Sequence, residues 1–223
     1  MIKDFFKYAR SNRNIPTTTL EDYVNKASMN VNPTILEERK LNVAQLDIFS
    51  RLQADRIIFL GEAIDDEVAN IIQAQLLYLS SINEREVISL YINSPGGYVT
   101  SGLGIYDTMQ FVEPRIHTIC VGEASSMAAI LLSAGDKGNR AILPHSRVMI
   151  HQPSGGTWGQ VTDVLIHVAE LEKAKKETSE ILAYHTGKDI ETIYKDVDRD
   201  YFMSAQEAVD YGICDKILTK AKK

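Results

Sequence analysis

An α/β fold with parallel strands and helices packed outside them is predicted by three features of this chain. Short apolar, β-branched runs alternate with helical patterns from Pro33 onward. One of them, Ile116 to Val121, is made mostly of β-branched and apolar residues, as a buried parallel strand should be. The chain has 223 residues and is 44% hydrophobic, enough to bury one sizeable core. Strand–helix alternation predicts parallel pairing, because each helix carries the chain back to the same end of the sheet.

Each element has its own signature. Met1 to Asn32 stands apart: it mixes basic and acidic residues, holds Pro16 and a threonine run, and lacks the alternation that seats a strand. Arg56 to Leu60 is predicted as a strand. Asp65-Asp66 opens a helix whose apolar residues Val68, Ile71, Ile72, Leu76 and Leu79 keep helical spacing. Val87 to Asn93 is the next strand, followed by Gly96-Gly97 and a helix from Thr100-Ser101 to about Phe111. After Ile116–Val121 come Ser125-Ser126, then a helix from Met127 to Leu132 that is apolar on nearly every side.

Arg147 to Pro153 is predicted as a strand ending in the loop Ser154-Gly-Gly-Thr157. The segment Gln160–Ala183 carries Val161, Val164, Leu165, Val168 and Leu171 on one stripe with charges opposite. As a helix it would be about 35 Å long, which suits a projecting element better than one lying across so small a sheet. Ser204-Ala-Gln-Glu207 has the capping-box pattern and starts a last helix.

Composition excludes several functions. The net charge is −6 and there is no basic run inside the domain, which argues against nucleic acid as the main partner; the tail Lys220-Ala-Lys-Lys223 is too short to change that. No apolar run approaches the ~20 residues of a membrane span. Cys120 and Cys214 form neither a disulfide framework nor a zinc spacing, so no metal is expected, and a reducing, cytoplasmic setting fits. Thr186-Gly-Lys-Asp189 lacks the rest of a P-loop, so no nucleotide cofactor is expected.

The chemistry sits at Gly122-Glu-Ala-Ser-Ser-Met127. A serine between a strand and a helix lies near the positive end of the helix dipole, where an oxyanion is favoured. The plainer reading is a helix cap, and spacing alone leaves Ser125 and Ser126 both open. His151, at a strand end beside a flexible loop, is placed as a general base. His117, His145, His167 and His185 are assigned to the surface or the core edge. Among the alternating aspartates, Asp196 and Asp198 are expected in solvent, and Asp200, in the connector between two helices, is the one able to turn inward.

Four segments carry a family resemblance: Tyr91-Ile-Asn-Ser-Pro-Gly-Gly97, Gly122-Glu-Ala-Ser-Ser-Met127, Ser146-Arg-Val-Met-Ile-His-Gln-Pro153 and Arg199-Asp-Tyr-Phe-Met-Ser204. Together they resemble the Clp protease family from about Pro33 to Leu218. The resemblance implies a Clp/crotonase-type spiral of repeated ββα units with a projecting handle helix. It places the nucleophile at Ser126, the base at His151, the acid at Asp200, and an oxyanion hole at the backbone N–H groups of Gly97 and Met127. Glu123 departs from the glutamine more usual in the family.

The resemblance further implies an ATP-dependent serine endopeptidase acting on unfolded polypeptides. Two stacked seven-subunit rings of one chain would enclose the sites, with a hexameric AAA+ unfoldase of the ClpX or ClpA type docking at Leu77, Tyr91, Phe111 and Leu218. From their patterning alone those four would be core residues. Residues 1–32 would be a pro-segment cut near Met29 to Val31, and residues 33–223 a single peptidase domain. A crotonase-type acyl-CoA enzyme and a non-catalytic ring scaffold are the two rival readings.

Overall fold

The computed structural model describes residues 34–39 and 42–220. The expected pro-segment and its cutting point lie outside them. Two compact units divide the chain, Met1–Arg51 and Leu52–Lys223. In the first, β1 (Thr34–Arg39) pairs antiparallel with β2 (Asn42–Asp47). Helix α1 (Ile48–Ala54) follows, and the Asp47 carboxylate accepts from the Phe49 and Ser50 N–H groups at its start.

The second unit is mixed α/β, built on a sheet of seven strands with helices against it. Strands β3 (Ile57–Leu60), β4 (Ile88–Ser94), β5 (Ile116–Ser125), β6 (Arg140–Ile142) and β9 (Lys216–Ile217) run parallel in that order. Between them stand α2 (Asp66–Ile82), α3 (Val99–Phe111) and α4 (Met127–Ser133). Their apolar faces and the inward residues of the strands, such as Ile58, Leu60, Leu90, Ile92 and Ile105, make one buried cluster. The expected apolar stripe of α2 is only partly inward: Ile72, Leu76 and Leu79 are buried, whereas Ile71 faces solvent.

Strand β5 is longer than its apolar run suggests, and its length shapes the site. Its first half, Thr118–Cys120, pairs with β6; its second half, Glu123–Ser125, pairs in parallel with β7 (Arg147–Ile150). Strand β8 (Tyr201–Ser204) then adds antiparallel to β7, with Ile150 opposite Tyr201. Strands β5 and β7 therefore end side by side where β8 begins. Helix α7 (Ala205–Tyr211) follows directly, with the expected capping box between Ser204 and Glu207.

Helix α5 (Val161–Thr186) has 26 residues, about 39 Å at 1.5 Å per residue. Only its second half enters the core, through Thr178, Ser179 and Leu182. On the first half Val161, Leu165, Ile166 and Val168 are exposed, so the helix projects as expected. Gly187 ends it in the left-handed conformation, and α6 (Ile190–Asp196) packs beside it. Arg140, only 3% exposed, ties this region together: it pairs with Asp215 through two nitrogens, at 3.0 and 2.6 Å, and donates to the Ser133 and His185 carbonyls.

Candidate active site

The backbone at Ser126, the expected nucleophile, is unusual. Ser126 has φ 56° and ψ −124°, one of two non-glycine residues with positive φ among those described. Its side chain makes no capping bond to α4, which overturns the helix-cap reading. The hydroxyl turns instead to the His151 ring, 3.0 Å from Nε2. The Ser126 N–H donates to the Met149 carbonyl at 2.8 Å, so the β5–β7 ladder continues one residue past β5 and fixes the turn. Ser125, buried, sends its hydroxyl to the Glu123 carboxylate at 3.4 Å. The geometry thus separates two serines that spacing could not.

His151 follows the last residue of β7, shorter than the predicted strand, and Asp200 precedes the first residue of β8. Because those ends are paired, the two side chains meet: Nδ1 lies 2.9 Å from Asp200 Oδ1. With the carboxylate on Nδ1, the proton belongs on that nitrogen, and Nε2 is left as the acceptor for the serine hydroxyl. The histidine side chain is 26% exposed and the aspartate 60%, so the site opens to solvent on the acid's side.

Gly96 and Gly97 lie against the serine turn. Gly96 has φ 87°, and a β-carbon there would sit 2.5 Å from the Ser125 carbonyl oxygen, 2.7 Å from Ser126 Cβ and 3.0 Å from Met127 N. Only glycine fits. Gly97 forms an isolated parallel bridge with Ile64 whose bonds run from Ile64 N–H to the Gly96 carbonyl and from Tyr98 N–H to the Ile64 carbonyl, each at 2.8 Å. That bridge does not use the Gly97 N–H. Met127 N–H is the first donor of α4 and has no intrahelical acceptor.

Ile64 is a site residue that sequence reading missed, since nothing distinguishes it from other apolar positions. The Met149 carbonyl is another, because a backbone acceptor leaves no mark in a side-chain pattern. Asp196 was expected in solvent, but its carboxylate accepts from the Tyr211 hydroxyl at 2.9 Å. Leu77, Phe111 and Leu218 are 47%, 78% and 37% exposed and Tyr91 is half-buried, so patterning alone misplaced them in the core.

Residues 39–221 match the model of the Clp protease family. The chain belongs to that family. It is 55% identical over 217 residues to the ATP-dependent Clp protease proteolytic subunit of Bacteroides fragilis strain YCH46, covering 97% of this chain and 99% of that one. It is 54% identical over 222 residues to the subunit of the same description from Porphyromonas gingivalis, with both chains fully covered. The Bacteroides thetaiotaomicron subunit is 55% identical over 217 residues. Membership of the Clp protease family makes the chain a protease and accounts for the α/β fold.

Proposed function

We propose that this chain is the peptidase subunit of an ATP-dependent protease, with Ser126, His151 and Asp200 as its catalytic triad. The observation that carries the reading is the unbroken relay from Ser126 Oγ to His151 Nε2 and from Nδ1 to Asp200, at 3.0 and 2.9 Å. A serine hydroxyl becomes a useful nucleophile only when a neighbouring base takes its proton, and a carboxylate on the other ring nitrogen holds the tautomer that makes this possible. Ser126 attacks the peptide carbonyl while His151 accepts the hydroxyl proton and returns it to the leaving amine. The N–H groups of Gly97 and Met127 receive the oxyanion, fixed beforehand by the Ile64 bridge and the start of α4.

The remaining features of this reading follow from the family resemblance. Two stacked heptameric rings of one chain interlock through α5, whose exposed stripe of Val161, Leu165 and Val168 needs a partner. A hexameric AAA+ unfoldase of the ClpX or ClpA type docks at Leu77, Tyr91, Phe111 and Leu218, three of which are exposed apolar residues. Substrates are unfolded polypeptides, residues 1–32 are a pro-segment, residues 33–223 the peptidase domain, and the setting is the cytoplasm. Among the described residues no helix is long and apolar enough to cross a membrane.

A fluorophosphonate probe tests the catalytic reading. It should label the chain at Ser126, and Ser126→Ala should abolish labelling and cut peptide turnover by about 10⁶-fold. A variant that keeps a few per cent of the activity would sink the assignment, and an unlabelled but assembled ring would favour a scaffold.

A further inference from the structure

We propose that Tyr98 selects the substrate side chain two positions to the acyl side of the cut, favouring large apolar groups there. The inference deepens the peptidase reading and rests on it. The bridge at Ile64 fixes which way each backbone group points: the Gly96 carbonyl and the Tyr98 N–H both face Ile64. In extended chain, successive residues direct their N–H and C=O groups to opposite edges. The N–H and C=O of Gly97 therefore face away from Ile64, toward the edge where a substrate strand can add.

That edge adjoins the nucleophile, since Gly96 packs against Ser126 and Met127. Tyr98 is extended, with φ −62° and ψ 128°, and its ring is outside the core, with the residue 67% exposed. At a rise of about 3.3 Å per residue its Cα stands roughly 7 Å along the chain from that of Gly96. An aromatic side chain covers such a distance.

When the carbonyl under attack places its oxygen on Gly97 N–H, the substrate residue carrying it lies opposite Gly97. Antiparallel pairing, the commoner kind, then sets the preceding substrate residue opposite Tyr98. Side chains directly opposed across strands share one face, with Cβ atoms about 4.5–5.5 Å apart. Gly97 itself offers no side chain, so Tyr98 is the first group on this strand able to read the substrate. The flat apolar face of its ring rewards burial of a leucine or phenylalanine and gives nothing to a serine.

The test is a set of fluorogenic peptides that differ at one residue only, cut by the assembled full chain. With leucine against serine at the second acyl-side position, the wild type should show a kcat/KM ratio of about tenfold or more. Tyr98→Ser should bring that ratio close to one, and Tyr98→Phe should preserve it, because the ring and not the hydroxyl does the selecting. An unchanged ratio in Tyr98→Ser overturns the assignment, as does a change seen only at the residue next to the cut or on the leaving side. Fluorophosphonate labelling of the wild type runs alongside. If Ser126 is labelled and the ratio does not move, the Tyr98 assignment alone fails; if Ser126 is not labelled, the peptidase reading fails with it.

Discussion

Asp200 shows what a single residue contributes to the site, because it is 60% exposed at its side chain and yet holds the His151 ring at 2.9 Å. In the role we propose for it, it fixes the proton on Nδ1 and stabilises the imidazolium that forms in the reaction. Asp200→Asn keeps the shape and removes the charge, so it should lower kcat by about 10⁴-fold with little change in KM, measured on a short peptide. A loss of less than tenfold would mean that the carboxylate only packs beside the ring. Residue types told much of this in advance: a serine at a strand–helix junction, a histidine at a strand end and an aspartate between helices each suggested their place. The choice between Ser125 and Ser126 was not legible in their spacing and came only from the family resemblance, since it depends on the positive φ at Ser126, and nothing in a run of two serines marks which one takes it.

The elements differ in how plainly the sequence announced them. Helices α2 and α5 and strand β4 have enough turns or apolar alternation to declare themselves, and the caps at Asp65 and Ser204 fall where polar capping residues predicted them. Strand β8 was missed. Its four residues have no hydrophobic alternation of their own and are a strand only because β7, more than fifty residues earlier, offers an edge. Long-range pairing of this kind leaves no local signal, and yet it is what brings Asp200 to His151. For α5 the informative contrast lies along its length: the second half is anchored in the core and the first half exposes apolar residues. Leu165→Asp, on the exposed half and 62% exposed, should leave the subunit folded but split the proposed double ring into single rings, observed by native mass spectrometry. An intact double ring would show that this stripe is not what joins them.

The whole molecule carries a pH dependence set by its buried groups. His185 lies between the Tyr106 hydroxyl, 3.1 Å from Nε2, and the guanidinium of Arg140, which donates to its carbonyl. Burial first, and then the Arg140 charge, hold its pKa down at about 4, against an ordinary 6.5. In the unfolded chain it would take up a proton as the pH falls below 6.5, while the native protein refuses it until about 4. Stability from this group is therefore complete above pH 6.5 and declines as the pH drops from there toward 4. Chemical denaturation at a series of pH values should show that decline, and His185→Gln should flatten it. A variant with the same slope as the wild type would assign the effect to other groups.

The contorted backbone at Ser126 has one more consequence. A non-glycine residue in that region of φ and ψ costs the native state about 1–3 kcal/mol, and the pairing of Ser126 N–H with β7 holds it there. With Ser126 as the nucleophile we propose, durability and turnover are set against each other at one residue: selection for heat resistance alone would tend to relax that corner, and the demand for chemistry would keep it bent.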